Sequence, residues 1–433
     1  MKNFNKKIEE QLFLLDKFWQ KEENQNEIWN GNNVVQSRYC DFLQQEGMIA
    51  EEAPNKSKDA LQKTSRLVDI GVIDAGRKLT SAGNELLRIS QSGDFTSDNF
   101  LQIPKDSFIY LKQLLKMSCD VNGQKVRPFI VLFYLLSHLG YLTFEEFTYL
   151  LPLCITSENT EFFLEKIRNL RTGRETIDDL IVCHLMNMTN YQEALNYFLQ
   201  TTVSEEVVCN IGMNRKGGTF DKPYYPLFQV LYQVFVLKKT ECISDIYTKT
   251  QKIKIGGYWR ELFFDTVSEK AIRKAPLAHL KETPFLSIAS EKEFRVLFFQ
   301  YMHLFKAKAT LRDYFDLNRR YFGTTDVFLF EDQQVKADII PRHWFHSVIE
   351  KLYSLAFTEA ENLPENCDLT EIAPCLEFSE KTVLEGINQE LNTQLSSMNA
   401  ASSVLEALRY QRFNQLIAKK FSDVQLLELL ELL

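Results

Sequence analysis

Residues 63–90 read KTSRLVDIGVIDAGRKLTSAGNELLRIS. The apolar spacing predicts a helix over 61–70 that stops at Gly71. A short strand at Val72-Ile73, a turn over Asp74-Ala75-Gly76-Arg77 and a return at Lys78-Leu79 follow, and Thr80 or Ser81 caps a new helix. Helix, hairpin and capped helix in this order are the pattern of a winged helix. A short αββα connection of another kind gives the same string.

The same shape recurs in residues 311–341, LRDYFDLNRRYFGTTDVFLFEDQQVKADIIP. Here the reading is a helix over 311–321, a strand over 327–330, a polar turn over 331–334 and a return strand over 335–339, closed by Pro341. Between the two lies RPFIVLFYLLSHLGYLTFEEFTYLLP, residues 127–152. Pro128 opens a buried helix, Gly140 stops it, and Thr143 with Glu146 three residues on forms a capping box for the next. A helix over 161–170 then ends in Arg168, Arg171 and Arg174. This tri-helical unit is read equally as a helix-turn-helix or as a small structural bundle.

Outward from these motifs, Ile8, Leu12, Leu15 and Phe18 mark an amphipathic first helix, followed by a polar break and a second helix over 34–45. The chain has 433 residues, 45% of them apolar and 25% charged, with 16 Gly, 11 Pro, 33 Phe and 17 Tyr. Such a composition excludes disordered, collagenous and disulfide-stapled classes. The expected fold is mainly α with small β-hairpins (α+β), built of several winged-helix or helix-turn-helix-like subdomains and a C-terminal helical linker. Four segments are expected: a winged-helix-like 1–95, a tri-helical 96–190, a basic winged-helix-like 191–345, and an acidic helical linker over 346–433. The linker closes in Leu-Leu-Glu-Leu-Leu without a cap, so either these leucines dock on the body or the natural chain continues.

The eight cysteines are scattered without a C-x-x-C pair, and the N-terminus lacks an apolar signal region, so the reading is a reduced, cytoplasmic protein. The longest apolar run, residues 129–136, is far shorter than the roughly 20 residues a membrane span needs. The net charge is −8, which alone disfavours a polyanionic partner. Its distribution reverses that reading. Residues 346–433 hold 14 acidic and 6 basic side chains, so the preceding part is neutral, and residues 211–280 hold 12 basic against 6 acidic.

Catalytic signatures are missing: the chain has no Gly-Lys dipeptide, no H-E-x-x-H and no G-x-S-x-G. His343 and His346 have H-x-x-H spacing but no third ligand nearby, and are read as packing or capping residues. No lysine has Asp or Glu two positions before it, and no Pro-Asp dipeptide occurs, so the usual arrangement for Mg²⁺-dependent phosphodiester cleavage is absent. Nucleic-acid binding needs cations along a backbone-following surface and polar side chains that enter a groove. The candidates are Arg66, Arg77 and Lys78 at the first hairpin, and Arg168, Arg171 and Arg174 at the tri-helical end. Further on come Asn214, Arg215 and Lys216 in a Gly-flanked loop, Lys252 and Lys254 on an alternating strand-like run, and Arg319 and Arg320 before the second hairpin. Tyr224, Tyr225, Tyr258 and Trp259 are expected in the core.

Several segments together carry a family resemblance: WNGNNVVQSRYCDFL (29–43), SRLVDIGVID with KLTSAGNELL, YLKQLLK, the 127–152 stretch, IRNLRTGRE and NRRYFGTTDVFLFEDQQVKADI. In order, over about residues 8–340, the chain resembles the N-terminal part of AlwI-like type IIS restriction endonucleases and their nicking relatives. The resemblance implies a DNA-recognition region of winged-helix-like subdomains. In that family a C-terminal PD-(D/E)xK domain cleaves with Mg²⁺, and no residue of this chain matches its catalytic positions. The expected function is sequence-specific recognition of double-stranded DNA, without a cofactor in this chain and with a nuclease domain or subunit as second partner. The alternatives are a helical winged-helix scaffold or regulatory adaptor, and a nuclease with a degenerate site.

Overall fold

The computed structural model describes residues 8–49, 54–121, 123–214, 218–358 and 379–420. Helices dominate, and the described strands form one two-stranded and one three-stranded antiparallel sheet, as a mainly α chain with small hairpins requires. Contacts gather the chain into two units. The first comprises Met1–Phe147, Leu151–Leu164 and Asp316–Leu433, the second Thr148–Leu150 and Glu165–Phe315. The 191–345 segment of the sequence reading is thus shared between both units.

In the first unit, helix Ile8–Gln20 buries Ile8, Leu12, Leu15 and Phe18, as its spacing predicts. Phe18 meets Trp19, Tyr39 and Phe42 at ring distances of 5.1–5.7 Å, tying it to helix Asn33–Gln45. Helix Lys56–Asp69 begins five residues before the expected start, because Asn55 caps it by accepting the Lys58 amide. The hairpin that follows is held by the Ile73–Leu79 bridge, with Asp74 N donating to Lys78 O (2.9 Å) and Arg77 N to Asp74 O (3.0 Å). Thr80, not Ser81, caps helix Ser81–Ser92: its Oγ1 accepts from Gly83 N at 3.2 Å and donates to Gly71 O at 2.7 Å.

A hairpin of β1 (Cys119–Val121) and β2 (Gln124–Val126) precedes helix Pro128–Leu139, which has Pro in its first turn and Gly140 at its C-cap with φ 78°. The capping box forms in both directions: Thr143 N donates to Glu146 Oε2 (2.8 Å) and Glu146 N to Thr143 Oγ1 (3.1 Å). Leu142–Thr143 also forms a strand, β3, that the sequence reading lacks. The second hairpin consists of β4 (Phe328–Glu331) and β5 (Gln334–Ala337), joined by Asp332 and Gln333 at φ 48° and 60°. Two left-handed residues are what a two-residue turn needs to match the strand twist. The sheet order is β3-β5-β4, with Leu142 opposite Val335 and Phe328 opposite Ala337. Phe322, Phe328 and Phe133 pack beneath it at ring distances of 5.0–5.1 Å.

The return strand ends at Ala337 rather than 339. Asp338 caps helix Ile339–Tyr353 by accepting from Ile339 N at 2.7 Å, so Pro341 lies in that helix's first turn, where its missing N–H leaves no bond unmade. Arg127, 1% exposed, closes the other end: its backbone N donates to Ala356 O (2.8 Å) and its guanidinium to the carbonyls of Leu355 and Thr358. Helices Glu380–Leu391 and Met398–Lys420 follow. Glu390 holds Arg342 and His343 (Nε2 to Oε2, 2.8 Å), and Arg409 pairs with Asp338. The Leu-rich end over 421–433 lies outside the described residues.

The second unit is helical around Trp259, which is fully buried among Tyr224, Phe263, Phe298 and Phe305 at ring distances of 5.1–6.4 Å. Tyr224 is buried with it, while Tyr225 and Tyr258 are half-buried. Helix Tyr224–Leu231 turns into a π-type segment over Tyr232–Val236. The run carrying Lys252 and Lys254 is not a strand. It is a series of turns between helices Ile243–Thr250 and Gly256–Phe263, with Ile253 N bonded to Thr250 O and Gly256 N to Ile253 O. Ile253, buried between two exposed lysines, gives the turns the alternation of a strand.

Candidate nucleic-acid interface

Arg77 folds inward. Its Nε donates to Thr64 Oγ1 (3.2 Å), its Nη1 to Ala75 O (2.6 Å), and the guanidinium lies 5.7 Å from the Trp29 ring centroid. Its carbonyl accepts from Trp19 Nε1 at 2.7 Å, which anchors the turn to the first helix. Lys78 remains exposed, with Nζ 5.5 Å from the Trp19 ring.

Arg66 is half-buried near Asp69, and both act on Tyr321. Burial pushes the Tyr321 phenol up to about 12, Asp69 adds to the rise, and Arg66 opposes it. The Cys119 thiol of β1 also acts on Tyr321. The end of helix Lys56–Asp69, the first strand of the β1–β2 hairpin and the last turn of helix Glu291–Phe322 therefore meet at one place. That last turn carries exposed Arg319 and half-buried Arg320. The structure thus brings Arg66 near Tyr321, the residue that follows Arg320 in sequence.

In the second unit, Arg168 and Arg174 are exposed and Arg171 half-buried at the end of helix Ser157–Arg171. Lys252 and Lys254 are exposed on their turns, and Asn214 is exposed after helix Glu205–Ile211. Arg215 and Lys216 lie outside the described residues.

Sequence reasoning missed a buried ion pair beside that loop. Lys306 Nζ donates to Asp221 Oδ1 at 2.6 Å and to Gly212 O at 2.9 Å, and Asp221 is 1% exposed. Burial pulls the ammonium's pKa down, and the carboxylate opposes the fall. A signal was available. In FRVLFFQYMHLFKAKA the apolar face of Phe294, Phe298, Met302 and Phe305 has Lys306 and His303 at its edge, where a helix of this kind should carry only apolar groups.

His303 is 3% exposed, its ring 4.4 Å from Phe299 and 5.0 Å from Tyr191. Burial pulls its pKa down to about 3, and Lys306 adds to the fall. The folded imidazole thus stays neutral where the unfolded one, near 6.5, takes up a proton. Its contribution to stability is complete above pH 6.5 and is lost as pH falls towards 3, at about 1.4 kcal/mol per pH unit. Urea unfolding at pH 7 and pH 5 should show a loss about 2 kcal/mol larger for the natural chain than for His303→Phe. Equal losses would refute this account.

Among the described residues, no three His, Cys, Asp or Glu side chains gather where a metal ion could be held. His343 is taken by Glu390, and His346 is exposed. Also among the described residues, no helix is long and apolar enough to cross a membrane.

Compared with known protein families, residues 68–432 match the model described as AlwI restriction endonuclease. No curated protein and no solved structure matches the chain.

Proposed function

The chain belongs to the AlwI restriction endonuclease family, and from that premise we propose that it is the DNA-binding part of a type IIS restriction or nicking endonuclease, reading a specific duplex sequence through winged-helix modules. Membership implies DNA as the substrate. A nuclease domain or subunit supplies the cleavage, and the protein works in the cytoplasm.

The observation that carries the winged-helix reading is the pairing of Leu142 with Val335. A winged helix runs helix, strand, helix, helix, strand, strand. On this reading those parts would be Pro128–Leu139, β3, Phe144–Tyr149, the end of Glu291–Phe322, β4 and β5. In sheet order β3-β5-β4 the first strand lies beside the last, and the second unit is inserted between the second and third helices. The third helix is the one that enters the major groove in such modules, and it bears Arg319 and Arg320. The stretch over 56–92 supplies a smaller module of helix, one-bridge hairpin and capped helix.

On this reading Lys78, Arg168, Arg171, Arg174, Arg215, Lys216, Lys252 and Lys254 hold phosphates. Arg319, Arg320 and Asn214 reach base edges, each good bidentate contact contributing about 1–3 kcal/mol of discrimination. Arg66 and Arg77 act from behind, on Tyr321 and the Trp19–Trp29 wall. Raising salt from about 50 to 200 mM should weaken duplex binding by several orders of magnitude. Affinity indifferent to salt in a gel-shift titration would end the proposal.

A further inference from the structure

The β1–β2 hairpin stands apart from the other strands. Among the described residues it pairs with no third strand, and of the three residues in each of its strands only Val126 is buried. A lone two-stranded ribbon is at best marginally stable in water, so the fold gains little from keeping this one. Its shape suggests another reason. Along β2 the exposure rises from buried Val126 through half-buried Lys125 to exposed Gln124. The ribbon therefore leaves the body at the Cys119–Val126 pair and carries the Val121–Gln124 pair at its far end. Gly123, at φ 79°, helps close the turn by donating its N–H to Asp120 Oδ1 at 2.9 Å.

The root of the ribbon is fixed on both sides. β1 follows helix Lys105–Lys116, whose Gln113 Nε2 donates to the carbonyls of Ile70 and Gly71, each at 3.0 Å. β2 runs into Arg127, which is anchored to Leu355, Ala356 and Thr358. Cys119 lies within electrostatic reach of Asp69 and of Tyr321, the residue that follows Arg319 and Arg320. The ribbon thus rises close to the last turn of helix Glu291–Phe322. From Lys116 to Val126 the chain carries two lysines, Lys116 and Lys125, against the single acid Asp120, a balance that suits a polyanion.

We infer that the β1–β2 ribbon is a second DNA-reading element, which enters the major groove next to that helix with Gln124 at a base edge and Lys125 at a phosphate. The inference rests on the reading that the end of helix Glu291–Phe322 binds duplex DNA. The major groove admits a two-stranded ribbon, and three strand residues extend about 10 Å, enough to cross its depth of about 8.5 Å. Gln124 at the tip then reaches the floor, where its amide can donate to and accept from adenine N6 and N7. Lys125, one residue nearer the root and on the opposite face, meets the wall of phosphates.

The test uses the full chain and a pool of random-sequence duplexes from which bound DNA is selected and sequenced. The natural chain should enrich one site. Gln124→Ala should lose about tenfold of the discrimination at one adenine-bearing position of that site and keep the rest. Gln124→Glu should shift the preference there from adenine to cytosine, an effect no loss of folding produces. Because Gln124 is exposed, the melting temperature should stay that of the natural chain. Lys125→Ala should weaken binding to every sequence about tenfold and lower the slope of log affinity against log salt by about one. A Gln124→Ala chain that selects the same site with the same preferences would overturn the inference, as would a loss spread evenly over all sequences. If the natural chain enriches no site, the specific-recognition reading fails by itself. Lys125→Ala then still reports on the ribbon, and affinity equal to that of the natural chain would show it clear of the duplex.

Discussion

Gly83→Ala should lower the unfolding free energy of the first unit by about 3 kcal/mol, although it adds a single methyl group to the third residue of a helix. A Cβ on Gly83 would lie 2.0 Å from the carbonyl oxygen of Val72, and neither partner is free to move. Val72 O already accepts from Thr80 N at 3.1 Å, and Thr80 Oγ1 both caps the helix at Gly83 and donates to Gly71 O. Relief requires the helix Ser81–Ser92 to separate from the hairpin, with loss of the cap and of the packing of Leu86 and Leu87. Thr80→Ala should cost about 1 kcal/mol and exposed Ser81→Ala less than about 0.5 kcal/mol, since only Thr80 makes the capping bond. Urea denaturation of the three variants checks the order. A Gly83→Ala value no larger than that of Ser81→Ala would show that the close approach is not real.

The second large effect concerns binding. Reversing Arg319 and Arg320 together to glutamate should weaken duplex binding about a hundredfold and reduce the salt slope by about two, because two phosphate or base contacts become repulsions. Arg319 is exposed and Arg320 half-buried, so the circular dichroism melt should change far less than the affinity. Lys381→Glu, in the helix Glu380–Leu391 of the acidic C-terminal part, serves as the control for net charge and should leave affinity unchanged. Equal affinity of the natural chain and the double variant would remove the end of the helix Glu291–Phe322 from the proposed interface.

Local features of the fold were legible because local chemistry sets them. Thr143 and Glu146 identify their capping box three residues apart, Pro128 and Gly140 bracket their helix, and Asp332-Gln333 sits where a polar turn divides two apolar runs. The strand Leu142–Thr143 was not legible. Two residues have no periodicity, and their partner Val335 lies beyond the whole second unit. Pro341 was misread as a terminator since proline suits both the end of a strand and the first turn of a helix, and only the Asp338 cap decides between them.

The candidate site shows the same limit. Arg66 and Arg77 are basic residues beside a hairpin, which is all a sequence can say. Their inward direction depends on Tyr321 and Trp29, aromatic residues brought up from other segments. Lys306 could have been noticed as a lone cation at the edge of an apolar helical face, but its carbonyl partner at Gly212 has no sequence signature.

The three-stranded sheet also sets an order of events during synthesis. When β3 leaves the ribosome, β5 has not been made, and every residue of Glu165–Phe315 must emerge before the pair can form. Closing so long a loop costs entropy that grows slowly with its length, and an inserted body that has already folded shortens the effective loop. The second unit is therefore expected to fold first, while the apolar helix Pro128–Leu139 waits without its cover of Phe322, Phe328 and Phe345. That interval is when the nascent chain is most exposed to aggregation and most in need of a chaperone, and a lesion in the second unit would prolong it without touching the sheet itself.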